Sequence, residues 1–235
     1  KLPGPVSMLG IKTGEKQNDE SIRSMLSLSN DKSLIKYFAT ASWMMNRLDY
    51  YYPLYSIVSK NFSNSLVLKG GLTTYLDNNT RLGLTFNNEL NAIRSNNYKD
   101  DILRNSTSFA FSAIRKTDDR FGGEILIRET RHGKRLLKPD FTAALEYRLL
   151  KDKEQFLGMN ISRNSKIPSL NDLHWFPGGN PDLKNEYSWS AEIGYKAGFD
   201  LSDKLKISSD INLYSSFIRD MIQWRPVEGS SIWIT

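Results

Sequence analysis

Cysteine is absent from the 235 residues, so neither a disulfide framework nor a thiolate metal site can be built. Histidine is almost absent as well: His132 and His174 are the two in the chain, they fall in different predicted loops, and neither has ligand partners at metal-site spacing. Long apolar runs are missing. The densest, around Trp43-Met44-Met45, is far short of the roughly 18 consecutive apolar residues of a spanning helix, which excludes a helical membrane protein. The mean hydropathy of -0.48 does not exclude a barrel, because a spanning strand needs about 9–11 residues and exposes every second one to lipid. The sequence begins at Lys1 with neither an initiator methionine nor a signal-peptide pattern, and it is expected to be a piece of something longer.

Catalytic signatures are lacking too. No nucleophile elbow, phosphate loop or HExxH occurs, and the acidic pairs Asp100-Asp101 and Asp118-Asp119 read as solvated turns, since carboxylates without burial gain nothing for acid/base work. No catalytic residue, metal ligand or cofactor is expected, and the chain is not expected to be an enzyme. The formal charge of +6 raises nucleic acid as a partner. Basic residues are interleaved with acids, however, with no basic helix, zinc spacing or stacking-aromatic motif, so no nucleic-acid partner is expected.

What is present is period-two alternation, the signature of strands with two unlike faces. In residues 185–197, Tyr187, Trp189, Ala191, Ile193, Tyr195 and Ala197 fall on one face, and Glu186, Ser188, Ser190, Glu192, Gly194 and Lys196 on the other. Residues 140–150 repeat the pattern, as do Leu205, Ile207, Ile211, Leu213 and Phe217 against Lys206, Ser208, Asp210, Asn212 and Ser216. Weaker versions near 20–29, 33–49, 62–76, 80–93, 104–116, 121–131 and 155–166 bring the expectation to ten strands. Many are long enough to cross a bilayer at a tilt. The polar faces mix both signs of charge, as an aqueous lumen would.

Tight polar turns are predicted at 29–32, 77–79, 117–119, 151–153 and 201–203, and longer connections at 50–61, 92–103, 132–138, 167–184 and 225–231. Alternation of short with long turns is the plan of an antiparallel up-and-down transmembrane β-barrel, with short periplasmic turns and longer exterior loops. The rings of Trp43, Tyr50-Tyr51-Tyr52, Trp175-Phe176, Trp189, Trp224 and Trp233 are expected near strand ends on the long-loop side, where barrels carry aromatic girdles.

Residues 163–194, RNSKIPSLNDLHWFPGGNPDLKNEYSWSAEIG, resemble a segment of the TonB-dependent outer-membrane receptors. There a strand leaves through an Arg-x-Pro-(Ser/Thr)-like exit, passes a Leu-Tyr-like stretch and Gly-Asn-Pro-x-Leu-x-Pro-Glu, and re-enters through a Glu-x-Gly strand. The positions that carry the resemblance are Arg163, Pro168, Ser169, Leu170, Leu173, Asn180, Pro181, Leu183, Glu186, Glu192 and Gly194. Asn185 replaces the family's frequent Pro, and His174 its frequent Tyr. The residues themselves give the loop a structural role: Pro168 and Pro181 lack amide donors and end ladder pairing, while Gly178-Gly179 permits unusual backbone angles.

The resemblance implies that residues 1–235 are part of a single barrel domain of about 22 strands, with a plug domain and closing strands lying outside this chain. It implies uptake of a scarce nutrient (a metal chelate, vitamin or oligosaccharide), energised by a TonB-type periplasmic partner that engages a part of the receptor not in this chain. Outer-membrane lipids would surround it. The basic stretch Arg128, Arg131, His132, Lys134, Arg135 and Lys138 suggests contact with an anionic ligand or lipopolysaccharide through Arg131, Lys134, Arg135 and Lys138. Two other readings stay open on the sequence: a non-transporting adhesin or scaffold barrel, and a soluble carbohydrate-binding β domain.

Overall fold

Ten stretches of alternating sequence become ten long strands in the computed structural model, which describes residues 2–3, 14–116, 120–150, 154–202, 204–229 and 232–235. After a two-residue β1 (Leu2–Pro3) come β2 (Lys16–Asn30), β3 (Ile35–Tyr52), β4 (Ile57–Tyr75), β5 (Thr80–Ser95), β6 (Ile102–Lys116) and β7 (Phe121–His132). A short β8 (Arg135–Leu136) precedes β9 (Asp140–Arg148) and β10 (Gln155–Lys166). Helix α1 (Leu170–His174) then leads to β11 (Glu186–Ser202) and β12 (Leu205–Arg219), followed by the short β13 (Arg225–Pro226) and β14 (Trp233–Ile234). Every long strand pairs antiparallel with its sequence neighbour, in the order β2-β3-β4-β5-β6-β7-β9-β10-β11-β12. This is the up-and-down plan that the turns predicted.

Two differences from the sequence reading concern its boundaries. Residues 50–61 are mostly strand: β3 and β4 pair through Tyr52 and Ile57, so that connection is as tight as those on the opposite end. β-Branched and aromatic residues extended the ladder past the Tyr cluster. Trp43 lies in mid-strand, opposite Leu66, and so does not belong to a girdle at a strand end. The predicted turns at 117–119 and 151–153, the pair Asp118-Asp119, Asp203, and residues 230–231 of the last predicted connection lie outside the described residues.

Register decides which side chains share a face. Paired residues across nine strands form the row Tyr37, Leu72, Leu84, Phe111, Ile127, Phe141, Arg163, Trp189 and Phe217. One residue along, the row is Lys36, Thr73, Gly83, Ser112, Leu126, Thr142, Ser162, Ser190 and Ser216. The first face is apolar and the second polar, and a slip of one residue would exchange them.

Among the described residues, none packs as a second layer on the apolar face. Among the described residues the buried hydrophobics are Leu137, Ala197 and, within the motif loop, Pro168, and no large side chain is fully buried. Leu213 is 72% exposed and Leu26 76%. A water-soluble sheet of this size would bury one face against a second layer. This one leaves a broad apolar surface that lipid satisfies, because burial in hydrocarbon removes it from water as a core would. The polar face borders a hollow of about 760 Å³ lined in part by Glu124, Glu146, Arg148, Asn160, Glu192 and Asn212. Glu146, Arg148, Glu192, Lys196, Lys206 and Asp210 are brought together on this side by the β9–β12 register.

Candidate functional site

The connection between β10 and β11, residues 167–185, is the longest between neighbouring strands. Hydrogen bonds hold it along its length. Ser169 caps α1: its hydroxyl accepts the Asp172 amide at 3.1 Å while the Asp172 carboxylate accepts the Ser169 amide at 2.7 Å, a reciprocal box that satisfies two donors at the start of the turn. The other Asp172 oxygen accepts Trp224 Nε1 at 2.8 Å. The Asp172 carbonyl accepts the Asn180 amide at 2.8 Å and the Thr235 hydroxyl at 3.2 Å. One residue thus ties the helix, the Gly-Asn-Pro turn and the last residues of the chain together.

Burial raises the Asp172 carboxyl, but hydrogen bonds from Ser169 and Trp224 and the nearby Lys166 charge outweigh it and hold the group below its ordinary value. Glu186, also buried, accepts Lys166 Nζ at 3.1 Å and the Ile222 amide at 2.5 Å. Gly178 has φ +153 and a Cβ there would meet the Trp233 carbonyl oxygen at 2.0 Å, so only glycine fits beside β14.

The loop also reaches along the rim. Tyr98 forms an antiparallel bridge with Trp175, its hydroxyl donates to Asn171 Oδ1 at 2.6 Å, and the Phe176 amide donates to the Asn97 carbonyl at 2.9 Å. Arg104 Nη1 donates to the Pro168 carbonyl at 3.3 Å. Strands β7 and β9 stand between these partners in the sheet, roughly 14 Å of wall at the usual strand spacing. His174, 6.2 Å from the Tyr98 ring, is shifted down by burial and by Arg104, against an opposing pull from Asp100. The described residues contain no group of three or more His, Asp or Glu able to hold a metal.

The motif residues separate into four places, one of them Glu186 at the start of β11, bound to Lys166 and the Ile222 amide. Pro168, Ser169, Leu170, Leu173, Asn180, Pro181 and Leu183 build the loop. Glu192 and Gly194 line the polar hollow; a Cβ at Gly194 would lie 2.4 Å from Asn212 Oδ1. Arg163 is buried on the apolar face. Asp172 and Trp224, which organise the loop, were not singled out together by the sequence: 52 residues separate them, and nothing local links them.

The side chains of the basic stretch have different partners. Arg128 is taken by Asp140 at 2.7 Å, and Arg131 Nε donates to the Gly133 carbonyl at 3.1 Å. Lys134 and Arg135 are exposed in the β7–β8 hairpin. Lys138 instead lies over the Tyr187 ring, 5.8 Å from its centroid, which it shares with Arg163 at 4.8 Å.

No protein-family model matches the chain. Among curated proteins it is 38% identical over 68 residues to the vitamin B12 transporter BtuB of Vibrio vulnificus, a match covering 29% of this chain and 10% of that protein. It is 27% identical over 169 residues to BtuB of Photobacterium profundum, covering 72% of this chain and 24% of the relative. The siderophore receptor PirA from Pseudomonas aeruginosa superposes with a TM-score of 0.76 at 13% identity, over 93% of this chain and 43% of that one. The Serratia marcescens hemophore receptor HasR gives 0.70 at 11%, over 90% and 41%, and the copper transporter OprC 0.62 at 14%, over 90% and 41%. The chain therefore spans a quarter or less of the curated relatives it matches and about two fifths of the solved structures. With its lipid-facing apolar surface, its polar hollow and the 163–194 segment, it has the fold of a stretch of outer-membrane β-barrel wall and is similar there to these receptors and transporters.

Proposed function

We propose that the chain forms part of the wall and exterior rim of a receptor that takes up a scarce nutrient across the outer membrane, driven through a TonB-type periplasmic partner. The observation that carries this reading is the two-faced ten-strand sheet whose rim is organised by the 167–185 loop, together with curated relatives named as vitamin B12 transporters. A metal chelate, a vitamin or an oligosaccharide is the ligand class, and the protein is a transporter without catalytic residues. A plug and closing strands outside this chain would complete the barrel as one domain.

The motif residues act structurally: they fix the loop so that the rim keeps its shape while ligand enters. Arg131, Lys134 and Arg135, on the exposed hairpin, attract anionic ligands toward the mouth by long-range charge. Uptake tests the reading directly. In a strain deleted for the receptor gene, labelled vitamin B12, ferric siderophore, haem and copper are offered with and without the intact gene, and again in a strain lacking the energy-coupling partner. Uptake of one of them that needs both genes is expected. Uptake of all four that is independent of both would refute it.

A further inference from the structure

The polar side of β3 to β5 is built from a narrow set of residue types. On β4, Ser59, Asn61, Ser63 and Ser65 hold four successive positions of that face, about 20 Å of wall running down from the long-loop end. Opposite them on β3 stand Tyr50, paired with Ser59, and Asn46, paired with Ser63. On β5, Ser95 stands opposite Asn61 and Asn91 opposite Ser65. Between Tyr50 and Ser42 on β3, and between Ser59 and Val67 on β4, no residue of this face is charged. Cations of the polar face nearer the 167–185 loop have protein partners: Arg104 donates to the Pro168 carbonyl, Arg128 pairs with Asp140, and Lys166 with Glu186.

The strip is bonded to itself. Ser95 Oγ donates to Asn61 Oδ1 at 2.5 Å, Asn61 Nδ2 to Ser59 Oγ at 3.0 Å, and Asn97 Nδ2 to the same hydroxyl at 2.7 Å. Amides and hydroxyls held in this way meet a ligand with little further ordering cost. Two buried oxygens beside the strip have no donor: Glu15 Oε2, one residue ahead of β2, and Asn87 Oδ1, in the row of Lys69 and Ser108. An acceptor left unpaired out of water is costly, and a donor brought to it recovers that cost. At the head of the strip, Tyr52 and Tyr55 meet edge to face at 5.0 Å, with Tyr55 exposed.

We propose that this strip is a contact track for the nutrient, taking the hydroxyl- and amide-bearing part of the ligand from Tyr52 and Tyr55 down Ser59, Asn61, Ser63 and Ser65. Equivalent partners at every second residue let one hydrogen bond form as another is released, and no charge on these positions traps the ligand part-way. Many weak sites in series are what passage requires. The proposal rests on the transport reading and narrows it. The ligand presents hydroxyls or amides, as an oligosaccharide or an amide-rich vitamin does, whatever charge the β7–β8 hairpin draws in.

The test places the intact receptor gene, wild type or variant, in a strain deleted for it and offers labelled vitamin B12, maltoheptaose, haem and copper. Energised uptake of vitamin B12 or of maltoheptaose is expected, and the one taken up identifies the source of the groups. The double variant Ser63→Leu/Ser65→Leu should lower the uptake rate about tenfold or more, while exterior binding in cells lacking the energy-coupling partner changes by less than about twofold. Ser63→Thr/Ser65→Thr keeps both hydroxyls and should transport at close to the wild-type rate. Asn61→Leu, at the entrance, should weaken exterior binding about tenfold. Ser215→Leu, on the lipid-facing side opposite Ala191, should change neither, and retained heat-modifiability on gels shows that each variant is folded. Unchanged uptake in the double leucine variant overturns the track, as does uptake confined to haem or copper; the transport reading stands in both cases. Lost uptake accompanied by new sensitivity to vancomycin would mean that this wall seats the plug, and overturns the track too. Absence of energised uptake of all four by the wild type removes the transport reading and the track with it.

Discussion

Replacing Ile193 by Arg and, separately, its neighbour Glu192 by Arg introduces the same side chain one residue apart on β11, near the middle of a 17-residue strand. Ile193 pairs with Met159 and Leu213 on the lipid-facing side and is 49% exposed there. Glu192 pairs with Asn160 and Tyr214, borders the polar hollow, and holds no ion pair among the described residues. An arginine facing the bilayer midplane costs about 2–4 kcal/mol, which lowers the folding equilibrium by about 30-fold to about 1,000-fold. A luminal arginine in water, beside Glu124 and Glu146 in the same hollow, costs about 0.5 kcal/mol or less. Reversible urea unfolding of the intact receptor in phospholipid vesicles measures both. Equal losses, or a larger loss for Glu192→Arg, would refute the assignment of faces and with it the membrane reading of the sheet.

The other predictions concern the loop. Asp172→Ala removes the partner of both the Ser169 amide and Trp224 Nε1; a lost cap and a lost charge-assisted bond together destabilise the loop by about 2 kcal/mol or more. Hydrogen exchange in 169–181 and 222–235 should quicken by about 30-fold while the strands keep their protection, and unchanged exchange would count against the network. Because the folded Asp172 carboxyl is held below its ordinary value of 3.8, its contribution is fully present above that pH and is lost as pH falls through the lower, folded value. Pepsin should therefore nick the loop increasingly as pH drops below about 4, and Asp172→Asn should remove that dependence; a wild-type loop cut equally at every pH would contradict it. Gly178→Val brings a side chain against the Trp233 carbonyl oxygen and should release β14 and quench the Trp224 contact, read as altered tryptophan fluorescence, with barrel unfolding unchanged.

Strand number and strand type were legible in the chain because period-two alternation is local: each residue's face is fixed by its neighbours two positions away. The bounds of β10, for instance, coincide with the alternating run 155–166. The connection at 50–61 was misread because Asn, Ser and Pro near a tyrosine cluster look like a loop, while the cross-strand pairs that keep it in the ladder, such as Tyr51 with Val58, come from the partner strand. The 163–194 segment was recognisable as a motif, whereas the capping box between its Ser169 and Asp172 came from the structure.

Which odd or even positions share a face from strand to strand was a matter for the register. The apolar row passes through odd Tyr37, even Leu72 and Leu84, then odd Phe111, and no single strand reveals where parity changes. The same holds for the meeting of Lys138, Arg163 and Arg219 at one cleft, and for the reach of Asn171 and Trp175 to Tyr98. The sequence by itself determined that the chain would form long two-faced strands joined in order, because side-chain alternation and turn chemistry act over a few residues. Tertiary structure alone decided which cations stand together on the lipid side and which loops touch at the rim, because those contacts join residues tens of positions apart through hydrogen-bond register.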